Sequence, residues 1–287
     1  MPIGIRIIET GNIRIRPSQM TQPPGNVLVR RLRFLSDRRW TEPIPIFAFV
    51  MTHSEGIFLF DLGETPRCVH PGYYPWWQIG HHCVSVDIKE SQGLGSQLRE
   101  QGINPKTDIK AAVMSHLHGD HAGGLPDVHG MTDIFVSQSH WDAFQSPIYA
   151  TLEGANPAAW PEDFSPSILQ PTGPAIGPWT FSYPVTKDQK ILAVDTPGHV
   201  PGHISLIVID DDVTYFLVGD AAYSLELLDS ESIDGINCDP YVALESQRKI
   251  KEFCSCRNVV VLPSHEYDSV RRLEEKQVYR PSERSRG

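Results

Sequence analysis

Apolar and charged positions alternate through residues 3–16, with Ile3, Ile5 and Ile7 and then Ile13 and Ile15 on one side of the pattern. A period of two is that of a half-buried strand, and Gly11-Asn12 in the middle predicts a turn between two paired strands. The apolar stretches Ile44–Met51 and Ile57–Leu62 flank His53-Ser-Glu-Gly56 and predict a second hairpin. From Glu90 the period lengthens. Leu94 and Leu98 stand at i, i+4 and Gly102 supplies a stop, which predicts a helix over 90–102 followed by a strand over Asp108–Ser115. Three later runs, Ile191–Val194, Tyr215–Val218 and Val259–Leu262, read as strands, and Asp239-Pro240 is the N-cap and first-turn proline of an amphipathic helix over Tyr241–Phe253. Strands and helices interleave in both halves, the pattern of a layered α/β architecture. Pro147–Pro184, rich in proline and tryptophan, fits neither regular helix nor central strand and predicts a long ordered loop serving as a lid or a dimer contact.

The ends of these runs carry the chemistry. Asp108–Ser115 leads straight into His116-Leu-His118-Gly-Asp120-His121, four metal-ligating side chains within six residues. Imidazole and carboxylate donors without a thiolate suit zinc and related borderline metals. His199 in Asp195-Thr-Pro-Gly-His199, Asp220 in Val218-Gly-Asp220 and His265 in Pro263-Ser-His265 each follow one of the other strand-like runs. Ligands at the ends of adjacent strands converge on one point, so these positions form one constellation.

In this order the chain resembles the metallo-β-lactamase superfamily, whose signature is an H-x-H-x-D-H cluster followed by a distant His, Asp and His. It is most similar to the N-acyl homoserine lactonase branch, because His116-Leu-His-Gly-Asp-His-Ala-Gly-Gly124 is followed by Gly219-Asp-Ala-Ala-Tyr223. That branch places a tyrosine three residues after its bridging aspartate. The superfamily also holds fungal enzymes that open γ-lactams.

The resemblance implies an αββα sandwich of the metallo-β-lactamase type, a single domain over residues 1–287 with an insertion at about 147–184. It assigns His116, His118 and His199 to one metal and Asp120, His121 and His265 to the other, with Asp220 bridging. Two zinc ions are implied, with manganese, iron and cobalt compatible with the same donors, about 3.5–4 Å apart around a hydroxide. Asp120 would also orient or deprotonate the nucleophile, and Tyr223 would donate to the charge developing on the carbonyl or leaving group. Asp61, in Phe60-Asp61-Leu-Gly63, stands where members carry Asp-Thr-Gly and reads as a carboxylate orienting a ligand histidine or as a turn cap. His203, His53, His129 and His140 read as structural.

Composition narrows the partners. The net charge of −10 repels polyanions, and the basic clusters Arg30-Arg31-Leu-Arg33 and Arg38-Arg39 are short and interrupted. No apolar run approaches the roughly 20 residues of a membrane span, and the N-terminus lacks a signal layout. Five cysteines, an odd number, do not outline a disulfide framework, and Cys254-Ser-Cys256 reads as a reduced pair at a helix end. The expectation is a cytoplasmic hydrolase, monomer or homodimer, acting on a small cyclic substrate without nucleic acid or membrane.

Lactone and γ-lactam opening share this site. Glyoxalase II-like thioester hydrolysis uses the same seven ligands and is the nearest alternative. An RNA-processing nuclease or a non-catalytic binding module stands further off. Two local features bear on substrate choice: the aromatic segment His70–His82, expected to form a loop that walls the pocket or a plug or dimer surface, and Gly119. Homoserine lactonases often carry a bulky residue there, so Gly119 is expected to admit a wider ring such as a benzoxazolinone.

Overall fold

The computed structural model describes residues 2–130, 132–211 and 213–282. The chain divides into two compact units, Met1–Ile15 with Trp40–Ile168 and Arg16–Arg39 with Leu169–Gly287. Among the described residues no helix is long and apolar enough to cross a membrane.

The first unit is built on seven strands: β1 (Gly4–Arg14), β2 (Ile44–His53), β3 (Gly56–Phe60), β4 (Ser85–Asp87), β5 (Ile109–Val113), β6 (Asp133–Val136) and β7 (Ser167–Ile168), in sheet order β4-β1-β2-β3-β5-β6-β7. The β2–β3 hairpin forms around His53–Gly56 as its sequence predicts. Residues 3–16 do not form a strand pair. They form the single strand β1, whose register against β2 runs from Gly4↔Thr52 to Glu9↔Phe47 and resumes at Asn12↔Pro45. The irregularity is a bulge at Thr10-Gly11. Gly11 takes φ +92°, and a Cβ there would lie 2.7 Å from the Asp87 carbonyl oxygen of β4. The extra residue resets the alternation, so Ile8 and Thr10 are buried before it and Ile13 and Ile15 after it. The helix predicted over 90–102 is two pieces, a 3-10 turn Glu90–Gln92 and a helix Leu94–Glu100, separated by an extended Gly93. β3, β5, β6 and β7 run parallel, which brings the C-terminal ends of β3 and β5 side by side.

The second unit holds β8 (Tyr183–Pro184), β9 (Ile191–Asp195), β10 (Ile204–Ile209), β11 (Thr214–Gly219) and β12 (Val259–Pro263), in sheet order β12-β11-β10-β9-β8. β12 is buried along its whole length and β9–β11 nearly so, as the uninterrupted apolar runs predict. The helix Pro240–Ser255 starts where Asp239 Oδ1 accepts from the N–H groups of Tyr241 and Val242 at 3.0 and 3.1 Å. Its Phe253 packs edge-on against Phe216 and Trp179, with ring centroids 5.5 and 5.9 Å away. Truncating such a buried aromatic costs about 3–5 kcal/mol. The helix Val27–Ser36 has its usual polarity reversed: Arg30 and Phe34 are buried while Leu28, Val29, Leu32 and Leu35 are exposed.

Pro147–Pro184 is not one long loop. It holds a helix Pro147–Leu152, a 3-10 turn Pro157–Ala159, the edge strand β7 and the edge strand β8, and the division between the units falls within it. Pro147 and Pro157 stand at helix starts and Pro184 on an edge strand, positions that need no backbone donor, and the other prolines lie in the turns and irregular stretches between.

Candidate metal centre

In the first unit the ends of β3 and β5 set the geometry. Asp61 directly follows β3, takes φ +55° and is fully buried. Aspartate tolerates that left-handed conformation better than most residues, and here it turns the carboxylate towards Ser115. Asp61 Oδ1 accepts from the Ser115 N–H at 2.7 Å, and Oδ2 accepts from the Ser115 hydroxyl and from His121 Nδ1, both at 2.8 Å. The Ser115 hydroxyl also lies 2.9 Å from His116 Nδ1. Both imidazoles are thereby turned with Nδ1 on the supporting network, which leaves the lone pair on Nε2, the tautomer a metal ligand needs. His118 and His121 close around His116, with ring centroids at 4.3 and 4.2 Å, all three buried. Asp120 stands half-buried in the single turn Gly119–Ala122. Of the two roles open to Asp61, its contacts are those of a residue that orients His121.

The loop is held from behind by His140, whose Nε2 accepts the Leu117 N–H at 3.0 Å. His140 sits on a helix capped by Ser137, and its ring lies 4.1 Å from Phe144. From the other side, the Gly154 carbonyl accepts the Gly119 N–H at 3.3 Å.

In the second unit, Asp220 follows β11, His199 follows β9 and His265 follows β12. Asp220 Oδ2 lies 3.3 Å from His199 Nε2, and Oδ1 lies 3.1 Å from His265 Nε2. One buried carboxylate thus faces two different imidazoles, one on each oxygen. Tyr223 is buried beside both, with ring centroids 5.3 Å from His265 and 6.1 Å from His199. His203 accepts the Asp220 N–H on Nε2 at 3.0 Å. The proton of its neutral ring is therefore on Nδ1, 2.9 Å from Thr196 Oγ1. Thr196 is 2.7 Å from Ser205 Oγ, which donates to the Val218 carbonyl at 2.9 Å. The chain of donors ties β9, β10 and β11 together behind Asp220.

Sequence reasoning missed Asp234 and Arg30. Asp234 Oδ2 lies 3.3 Å from His199 Nδ1. The buried Arg30 guanidinium donates to the Asp234 carbonyl and to Asn237 Oδ1. Burial lowers the Arg30 pKa and the neighbouring Asp234 charge raises it. Arg30 belongs to a short basic run that reads as surface, and no signal in the sequence separates it from Arg31 or Arg33.

It also missed Glu64 and Tyr74. Glu64 is buried beside the metal loop, accepting from the Thr65 N–H and from the Tyr74 hydroxyl, both at 2.8 Å. Burial pushes its carboxyl up to about 7 against the lowering by those two donors. The Tyr74 hydroxyl occupies the position a side chain at residue 119 would take, and a Cβ on Gly119 would overlap it. This corrects the expectation for Gly119: the missing side chain does not open space for a wider ring, because Tyr74 fills it. His70–Gln78 is a loop, as its composition predicts, and the rest of the segment enters a 3-10 helix, Ile79–Cys83; Trp76 and Ile79 are exposed while Tyr74 and Gln78 turn inwards. None of the five cysteines is bridged, and Cys254 and Cys256 sit at the end of Pro240–Ser255.

The chain belongs to the metallo-β-lactamase superfamily, whose family model matches residues 86–265. The N-acyl homoserine lactonase AttM of Rhizobium radiobacter is 26% identical over 234 residues, covering 79% of this chain and 83% of that protein. The solved structure of an N-acyl homoserine lactone hydrolase, with the product N-hexanoyl-L-homoserine at its catalytic metal centre, matches with a TM-score of 0.70 at 21% identity over 98% of each chain. AidC, a dizinc quorum-quenching lactonase, matches with a TM-score of 0.63 at 18% identity over 92% of this chain and 88% of its own. The mixed α/β fold with two sheets is thus the metallo-β-lactamase type that the motif implies.

Proposed function

We propose that this protein is a metal-dependent hydrolase that opens a small cyclic ester and holds two zinc ions. The observation that carries this is Asp220, a buried carboxylate with an imidazole on each oxygen, the arrangement required of a ligand shared by two cations. Three buried imidazoles in the first unit, two of them fixed through Nδ1, fit the same group. His116, His118 and His199 would hold one ion, Asp120, His121 and His265 the other, and Asp220 both. Nitrogen and oxygen donors without thiolate suit zinc. When bound, two such ions supply Lewis-acid polarisation of the carbonyl and bring the pKa of water towards neutrality.

The chain's own side chains divide the remaining work. Asp120 orients the attacking water and accepts its proton. Tyr223 donates its hydroxyl proton in a hydrogen bond to the oxygen on which charge develops, favouring the transition state over the ester. Tyr223 is buried, so that bond forms away from competing water. The named lactonases among the relatives favour an ester over an amide or thioester, and the case for a wide fused γ-lactam weakens with Tyr74 over Gly119.

A hydrolysis screen tests this with acyl-homoserine lactones, simple γ- and δ-lactones, benzoxazolinones and S-lactoylglutathione. Lactone opening is expected from the wild type, with about two metal ions per chain, and its loss in His118→Ala. Tyr223→Phe is expected to lower kcat by about 10²–10³-fold. Lactone opening that survives His118→Ala, or a panel in which only the thioester is cleaved, overturns the proposal.

A further inference from the structure

The 70–82 segment is fastened at two points to the 154–156 stretch, which borders the metal loop. Gln78 Nε2 donates to the Ala155 carbonyl at 3.1 Å, and Asn156 Nδ2 donates to the Tyr73 carbonyl at 2.8 Å. The same 154–156 stretch lies against the ring of His118: a Cβ on Gly154 would come within 3.3 Å of it. Between these fastenings Tyr74 is held on two sides. Its hydroxyl donates to Glu64 Oε2 at 2.8 Å, and its ring stacks on His81 at 4.0 Å with 25° between planes. Glu64 is itself fixed, since its N–H donates to the buried Thr10 hydroxyl. The phenol therefore has a single defined place, against Gly119, the residue that stands between the candidate ligands His118 and Asp120 in the chain.

We propose that Tyr74 is a specificity-determining residue of this hydrolase, supplying from a separate loop the wall that a side chain at position 119 would otherwise provide. The inference rests on the hydrolase function proposed above and names the group that selects among its substrates. A glycine at 119 is what the arrangement demands, because a Cβ there would overlap the hydroxyl and lie 3.2 Å from both Tyr74 Cζ and Glu64 Oε2. Neither atom is the loose end of a flexible chain. A wall mounted this rigidly excludes bulk fused to the scissile ring, while a small lactone clears it.

The test pairs the two positions in the metal-loaded, full-length protein. Tyr74→Ala is expected to raise the ratio of kcat/KM for the fused aromatic lactone dihydrocoumarin over that for γ-butyrolactone by about 10-fold or more, the scale on which pocket shape discriminates. Tyr74→Phe keeps the ring and is expected to keep the wild-type ratio within about two-fold. Gly119→Phe alone is expected to lower the melting temperature; in the Tyr74→Ala background it is expected to cost much less and to return the ratio towards the wild-type value.

An unmoved ratio in Tyr74→Ala, or a Gly119→Phe substitution equally damaging in both backgrounds, overturns the inference. A wild type that opens lactones with an unmoved variant ratio refutes the inference alone. A wild type that opens no lactone refutes the proposed function, and the selectivity claim with it.

Discussion

The two units solve the same problem with different local material. The first packs His116, His118, Asp120 and His121 into one turn after β5 and supports them with Asp61 from the end of the neighbouring strand. The second takes its donors one at a time, from the ends of β9, β11 and β12, and supports His199 with Asp234 from an irregular stretch anchored by Arg30. Yet each ends with a buried carboxylate on the Nδ1 side of a histidine, and each uses a further histidine to hold a backbone N–H of the ligand-bearing segment. A local cluster and a dispersed one thus converge on the same support, because an imidazole that must offer one nitrogen to a cation has to be oriented through the other.

The most damaging way to break this equivalence is at Asp220. In the first unit three histidines stand close together in one turn, whereas Asp220 is a single carboxylate with a different imidazole, His199 or His265, on each of its oxygens. Asp220→Ala is expected to abolish lactone opening and to reduce bound metal below about one ion per chain, since a shared ligand serves both ions. His121→Ala is expected to retain at least one. Equal metal contents in the two variants, measured by elemental analysis on matched preparations, would show that Asp220 is an ordinary ligand of a single ion.

A smaller effect sharpens the comparison at the supporting carboxylates. Asp61→Asn and Asp234→Asn each leave a hydrogen-bonding group in place while removing the charge. Each is expected to weaken metal affinity by about 10–100-fold, the usual range for such partners. Asp61 has the shorter contact, 2.8 Å against 3.3 Å, and also binds Ser115, so its loss is expected to be the larger. Competition with a chromophoric chelator reads this directly. A larger loss at Asp234 would mean that the Arg30 anchorage matters more than contact distance.

How much of this the sequence reveals follows from the same contrast. A turn that carries its ligands side by side is legible as a motif, and so are strand ends, because uninterrupted apolar runs mark β9, β11 and β12 before their ligands appear. The helix Pro240–Ser255 is legible through its Asp-Pro start. What is not legible depends on pairing across long separations. Residues 3–16 show one alternation on either side of Gly11 whether they make a hairpin or a bulged strand, and only the partners β2 and β4 decide. Asp234 sits in the short irregular stretch Ile233-Asp-Gly-Ile236 without periodicity, and Arg30 within a basic run. Gly119 shows only that a side chain is missing; what fills the space comes from Tyr74, on a loop of its own.

The smallest expected effect concerns the two histidines behind the ligands. His140 accepts the Leu117 N–H and His203 accepts the Asp220 N–H, both at 3.0 Å and both in buried surroundings. Replacing either by alanine leaves a buried backbone donor without its acceptor, which costs about 1–3 kcal/mol, or a few degrees in melting temperature per kcal/mol for a chain of this size. Glutamine offers an amide oxygen at similar reach and is expected to recover part of that loss at both positions. The recovery should be poorer at 203, because His203 is also the first donor of the Thr196–Ser205–Val218 chain, and a glutamine whose oxygen faces Asp220 carries its NH2 beside that oxygen rather than at the Nδ1 position that serves Thr196. Melting curves of the four variants in the metal-free protein separate this from any effect on metal binding. Equal recovery at both sites would show that the donor chain in the second unit adds nothing to the single hydrogen bond, and that the two halves are supported alike.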